Sequence, residues 1–151
     1  VRVALGSDHA GFALKARLIR ELAALGHEVQ DLGTHAAEPP VDYPDYCFPV
    51  AERVARGEAD RGVVLGGSGI GECIAANKVA GIRAALVTSA ETAALTRRHN
   101  DSNVIALGGR VNPDYEAVAE WLRIWLETPF EGGRHVPRLA KIAAYERAHT
   151  R

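Results

Sequence analysis

Residues Val63 to Lys78 read VVLGGSGIGECIAANK, and the rest of the chain is organised around them. Three apolar residues, Val63, Val64 and Leu65, run into the glycines Gly66, Gly67, Gly69 and Gly71, and then into a helical pattern that begins near Glu72. That order describes a strand, a tight loop and a helix start. Glycine reaches positive φ and lets a ligand approach the main chain closely. The N–H groups from Gly67 through Ser68, Gly69 and Ile70 to Gly71 can therefore converge on an oxyanion or a phosphate, where the helix dipole also favours negative charge. Two side chains in the loop can do chemistry: the Ser68 hydroxyl as a donor and the Glu72 carboxylate. The plainer alternative is that Glu72 complements the helix dipole and the glycines serve strand-to-helix packing.

Working outward toward the N-terminus, Val1 to Leu5 predicts a first strand that ends in the loop Gly6 to Gly11. Leu14, Leu18, Ile19, Leu22 and Leu25 then recur at helical spacing until Gly26 closes the helix. Glu28 to Leu32 predicts a second strand, and Gly33 to Pro44 an excursion loop rich in proline. Asp45 to Arg56 reads as a helix in which Pro49 is tolerable only near the first turn. Toward the C-terminus, Ile82 to Val87 predicts the fourth strand, and Ser89 caps a helix from Ala90 to about Arg98. Asn103 to Leu107 predicts the fifth strand. Pro113 stands at the start of a helix whose apolar face carries Val118, Trp121, Leu122, Trp125 and Leu126. Thr128 to Gly133 breaks it, and a last helix runs from about Val136 to Ala148. Strands alternating with helices at this spacing predict one α/β domain over residues 1–151. Its core is a doubly wound, Rossmann-like sheet of five parallel strands in three layers, with a C-terminal helix.

A chain of 151 residues with 47% hydrophobic content suits a single domain with a substantial core. The net charge of −1 gives no global attraction to nucleic acid or an anionic membrane, so anion binding must come from local clusters. Cys47 and Cys73 have no metal-ligand spacing and suggest neither a disulfide framework nor a zinc site. No apolar run approaches the ~20 residues of a membrane span, and VRVAL does not resemble a signal segment, so a cytoplasmic protein is expected.

In a parallel sheet of this kind, ligands bind outside the carboxyl ends of the strands. Asp8 and His9 follow the first strand, Ser68 to Glu72 the third and Arg110 the fifth, so three loops bring these groups to one edge. Asp8 could equally cap the first helix, and His9 could be an ordinary loop histidine. His99 and Asn100 precede the fifth strand and belong at the opposite edge. Either they are structural or they project into the site of a neighbouring copy, for which Trp121 and Trp125 could supply an interface if they are not plain core. Arg134 and Arg138 are spaced to reach one phosphate, where guanidinium forks clamp well, unless they are solvated surface charges.

GSDHAG at Gly6 to Gly11, DYPDY at Asp42 to Tyr46, GGSGIGECIAANK at Gly66 to Lys78, RHN at Arg98 to Asn100, GGR at Gly108 to Arg110 and GGRHVPR at Gly132 to Arg138 occur in this order along the chain. Together they resemble the ribose-5-phosphate isomerase B family, which also contains galactose-6-phosphate isomerase subunits. The resemblance implies interconversion of ribose 5-phosphate and ribulose 5-phosphate, in the pentose phosphate pathway, without metal or cofactor. It implies that Glu72 moves a proton between C2 and C1 through a cis-enediolate, and that Ser68 and the N–H groups of Gly67 to Gly71 stabilise the enediolate oxygen. It further implies that His99, assisted by Asp8, opens the furanose ring, that Asn100 orients the sugar, and that His9, Arg110, Arg134 and Arg138 hold the phosphate or distal hydroxyls. A homodimer with shared sites follows from the same resemblance, with a tetramer left open.

One branch of this family places a cysteine base where this chain has Gly66, and Cys73 does not occupy that position. The chain resembles the glutamate branch. A carboxylate at a helix start should titrate low, but partial burial and a nearby phosphate oppose that, so the sign for Glu72 stays open. Allose 6-phosphate and galactose 6-phosphate are alternative substrates. A nucleotide-binding module is a different class of alternative, disfavoured because GxGxG follows the third strand rather than the first.

Overall fold

In the computed structural model, which describes residues 1–150, the glycine loop joins β3 (Arg61–Gly66) to α3 (Ile70–Ala76). Around this unit lie β1 (Arg2–Ser7), α1 (Phe12–Ala24), β2 (Glu28–Asp31) and α2 (Pro44–Ala55) on the N-terminal side. On the C-terminal side follow β4 (Ala84–Leu86), α4 (Ala90–Asn100), β5 (Val104–Gly108), α5 (Tyr115–Glu127) and α6 (His135–His149). The five strands pair in parallel in the order β2-β1-β3-β5-β4. This is the α/β three-layer arrangement expected from the sequence.

The alternation of side chains along the strands divides the core in two. Val3, Leu5, Val63, Leu65, Ile105 and Leu107 point to the face covered by α1, α4 and α5, where Leu14, Leu18, Leu22, Val118, Leu122 and Trp125 meet them. Ala4, Val64, Val104 and Ala106 point to the other face, against Cys47, Val50 and Ala51 of α2 and Ala75 and Ala76 of α3. The central strands are buried on both faces, which is why they read as nearly continuous apolar runs.

Several boundaries differ from the sequence reading, each for a local reason. β1 runs on to Ser7, because Ser7 still pairs with Leu65 of β3. β4 is only three residues long, since it pairs with β5 alone at the edge of the sheet. α3 starts at Ile70, after Gly69 turns the chain at φ +82. Pro113 does not start α5: Asp114 caps it by accepting from the Ala117 N–H, and the helix begins at Tyr115. Pro49 lies in the interior of α2 rather than near its first turn, and with no N–H it leaves the Asp45 carbonyl without its helical donor. Ser89 caps α4 as expected, its Oγ accepting from the Thr92 N–H at 3.0 Å while Thr92 Oγ1 accepts from the Ser89 N–H at 3.1 Å. α4 nevertheless runs two residues past Arg98, taking in His99 and Asn100.

The tryptophan face of α5 is core. Trp125 is fully buried and its indole N–H donates to Ser102 Oγ at 2.8 Å, while Trp121 packs at the margin of the same cluster. Trp125 is therefore core rather than an interface residue, while Trp121 is only partly buried. Among the described residues no helix is long and apolar enough to cross a membrane.

Candidate active site

The strand register brings the predicted loops together. Leu65 pairs with Ser7 on one side and with Leu107 on the other, and Gly66 pairs with Gly108. The loops after β1, β3 and β5 therefore leave the sheet side by side. Main-chain bonds tie them: the Asp8 N–H donates to Leu65 O at 3.3 Å, Gly109 N–H to Gly66 O at 2.8 Å and Arg110 N–H to Gly67 O at 3.0 Å. The fit needs glycine, since a Cβ on Gly108 would stand 2.6 Å from the Ser68 carbonyl and one on Gly69 3.0 Å from the Leu107 backbone.

Glu72 lies within this frame, only 4% exposed. Its carboxylate occupies the space directly over Gly66, where any Cβ would collide with it. Oε2 is buried and has no hydrogen-bond partner. Burial raises the carboxyl pKa and the nearby Asp8 charge adds to the rise, while the N–H groups of Glu72 and Gly69 pull the other way. The sign left open by the sequence is therefore upward: desolvation of the charged form outweighs the helix start.

The amides beside Glu72 are available. Ile70 N–H donates to Ser68 Oγ at 3.2 Å, leaving the Ser68 hydroxyl hydrogen free to donate outward. Among the described residues, no protein group accepts from the N–H of Gly67, Ser68 or Gly71. Such a cluster of donors at the start of a helix is suited to an oxyanion.

Asp8 is 7% exposed, and its Oδ1 accepts from the Gly11 N–H at 3.0 Å. It orders the turn ahead of α1 but does not cap that helix, whose N-cap is Gly11 with no side-chain cap bond, and its charge acts on Glu72. His9 Nδ1 accepts from the Val41 N–H at 3.1 Å, which places the other ring nitrogen as the one free to meet a ligand. The same bond fastens the excursion loop, so that Asp8, His9, Val41, Asp42 and Tyr43 line one open cleft. Arg110 lays its aliphatic stem over Gly67 and has no ion-pair partner among the described residues.

His99, Asn100, Arg134 and Arg138 do not join this group within one chain. His99 and Asn100 end α4 ahead of β5, and the five residues of β5 at ~3.3 Å each separate the two edges of the sheet. His99 stacks instead on His135, the first residue of α6, with Glu131 beside it. Arg134 and Arg138 flank that histidine, exposed, and Arg138 donates to the Arg134 carbonyl at 2.9 Å. Asn100 lines a separate cavity between β4 and α6, with Arg83, Thr96 and Leu139.

The sequence reading assigned no role to Tyr43 or His135, and it marked Gly66 only as the place of another branch's cysteine. Tyr43 closes over the loop, its phenol standing 2.5–2.6 Å from where a Cβ on Gly71 would be. Tyr43 sits in the DYPDY segment and His135 in GGRHVPR, so both were visible as parts of motifs without a role.

Residues 3–142 match the family model described as Ribose/Galactose Isomerase. Ribose-5-phosphate isomerase B of Mycobacterium tuberculosis (strain ATCC 25618 / H37Rv) is 45% identical over 150 residues, covering 99% of this chain and 92% of that protein. The structure of Clostridium thermocellum ribose-5-phosphate isomerase B superposes with a TM-score of 0.96 at 45% identity, covering 99% of this chain and 100% of the other. The Mycoplasma genitalium ribose-5-phosphate isomerase B, solved with bound ribulose-5-phosphate, gives a TM-score of 0.92 at 39% identity, covering 97% of this chain and 96% of that one.

Proposed function

We propose that this chain, which belongs to the ribose/galactose isomerase family, is an enzyme that interconverts D-ribose 5-phosphate and D-ribulose 5-phosphate through a cis-enediolate. The observation that carries the reading is the Glu72 carboxylate, buried over Gly66 with a raised pKa and flanked by amides that have no protein acceptor. A carboxylate with a raised pKa is a stronger base than an exposed one, and the free amides beside it suit the oxygen on which charge would develop.

From the open-chain aldose, Glu72 takes the proton on C2. The C2–H electron pair becomes the C1–C2 double bond as the C1 carbonyl pair moves onto O1. The Ser68 hydroxyl and the N–H groups of Gly67, Ser68 and Gly71 hold the oxygen that carries this charge. The O2 proton then passes to the neighbouring O1, which becomes the C1 hydroxyl, as C2 becomes the ketone, and C1 takes the proton back from Glu72. The carbonyl moves from C1 to C2 with no external oxidant or reductant.

Ring opening precedes this step for the aldose. His99 gives a proton to the ring oxygen while Asp8 takes the anomeric one, and Asn100 orients the sugar. His9, Arg110, Arg134 and Arg138 hold the phosphate and distal hydroxyls. His99, Asn100, Arg134 and Arg138 act on the site of a second copy, because their own Glu72 lies across the sheet. The functional unit in this reading is a homodimer with two shared sites, working in the cytoplasmic pentose phosphate pathway.

A coupled assay comparing ribose 5-phosphate with allose 6-phosphate and galactose 6-phosphate tests the substrate. Fastest turnover of ribose 5-phosphate is expected. Turnover of a six-carbon substrate alone would move the assignment to that sugar, and no turnover of any of them would overturn it.

A further inference from the structure

His135 is 8% exposed and is the one buried residue of α6, a helix otherwise laid lightly on the surface. Its ring lies against His99 with centroids 4.4 Å apart and planes 18° from parallel. Phe130 packs on it at 6.5 Å and 54°. Its Nε2 is buried without a hydrogen bond, 3.6 Å from a Glu131 carboxylate oxygen. Burial, together with His99, Arg134 and Arg138, favours the uncharged ring, and Glu131 opposes them.

One ligand atom each from His99, Glu131 and His135 lies within 4.8 Å of the others, which invites a metal-binding reading. The stacking argues against it. Imidazole lone pairs lie in the ring plane, and two nearly parallel rings one above the other aim theirs side by side rather than at a common point.

What the stack does provide is a fixed plane for His99. We propose that His135 is a positioning residue for ring opening, its flat ring holding the His99 imidazole at the angle from which it delivers a proton to the furanose oxygen. This rests on the assignment of His99 to ring opening. In that step the C1–O4 bond breaks, O4 takes the proton from His99 and the O1 proton leaves to Asp8 as the C1 carbonyl forms. An uncharged neighbour suits an acid that must itself carry the positive charge, since a second imidazolium at stacking distance would repel it. Proton donors lose efficiency steeply when their geometry is loosened.

Substrate chemistry separates this role from general damage. Ribose 5-phosphate closes to a furanose through its free 4-hydroxyl. Ribulose 5-phosphate cannot, because the hydroxyl its C2 carbonyl would need is phosphorylated. Exchange of solvent deuterium into C1 of ribulose 5-phosphate therefore requires the proton-transfer step at Glu72 but no ring opening.

The test measures both reactions in the dimeric protein with His135→Ala and His135→Phe. His135→Ala should lower ribose 5-phosphate turnover by at least ~10-fold, on the scale of a sub-ångström to ångström misplacement, with deuterium exchange near the unsubstituted rate. His135→Phe, flat and uncharged, should restore most of the turnover. Three results would overturn the proposal: no effect of His135→Ala, an equal fall in both reactions, or His135→Phe as impaired as His135→Ala. If the unsubstituted protein performed neither reaction, the isomerase reading itself would fall, and this inference with it.

Discussion

Gly66 and Glu72 share one volume: the Glu72 carboxylate fills the place a side chain on Gly66 would take, with Oε1 and the carboxyl carbon inside van der Waals contact of a Cβ there and Oε2 at 3.0 Å. A side chain at 66 and a carboxylate over it exclude each other. Gly66 is extended strand backbone paired with Gly108, so alanine is tolerated conformationally and the cost falls on Glu72. Gly66→Ala should keep the fold and lose turnover by at least ~10²-fold, the scale of removing a positioned base. Ribose 5-phosphate turnover together with circular dichroism checks this.

The raised pKa of Glu72 links stability to pH. A carboxyl whose folded pKa lies above its unfolded value stabilises the fold while protonated, and that contribution is lost as pH rises through the folded pKa. At neutral pH the buried charge therefore works against folding. Glu72→Gln should be more stable than the unsubstituted protein at pH 7, with the difference shrinking as pH falls toward the ordinary glutamate range. Urea midpoints measured across pH check the sign. The acid limb of kcat/KM should likewise lie above that range, because the base must be ionised.

Lys15 was unremarked in the helical pattern of α1, yet it is 1% exposed and holds Asp31 while donating to the Thr34 carbonyl at 2.8 Å. It anchors the near end of the excursion loop, whose far end carries Val41 and Tyr43 into the cleft. Lys15→Met should cost about 1–3 kcal/mol, since it strips partners from Asp31 and a carbonyl that both keep some access to water. It should also raise KM more than it lowers kcat. Urea unfolding and steady-state kinetics check both parts.

The proposed sharing of sites between two copies makes a prediction that no single chain can meet. Glu72→Gln and His99→Asn proteins, each inactive alone, should recover activity when mixed under conditions of subunit exchange. No recovery despite demonstrated exchange would contradict sharing. Cys73→Ser should be nearly silent, because the thiol donates to the Ala84 carbonyl and burial pushes its pKa up, away from reactivity.

What could be read from the sequence was local. The strand, glycine loop and helix around Val63 to Lys78, the Ser89 cap and the Gly26 stop each depend on residues a few positions apart, and each is present, with α3 starting at Ile70 rather than near Glu72. The convergence of Asp8, Ser68, Glu72 and Arg110 also followed, because the parallel order alone brings those strand ends together. Features that depend on distant packing were not legible. Tyr43 reaches Gly71 from the excursion loop, His135 meets His99 across 36 positions, and the position of Glu72 depends on how deeply α3 sits against β3. Whether Trp125 was core or interface turned on how α5 packs against the sheet, where the ring is fully buried and its N–H meets Ser102 Oγ, a partner that the sequence offered no reason to single out.

The most direct test of the account is turnover of saturating ribose 5-phosphate by Glu72→Gln, a substitution that preserves the shape of the side chain over Gly66 and removes the base. The account predicts a fall of at least ~10²-fold. Turnover near that of the unsubstituted protein would contradict it.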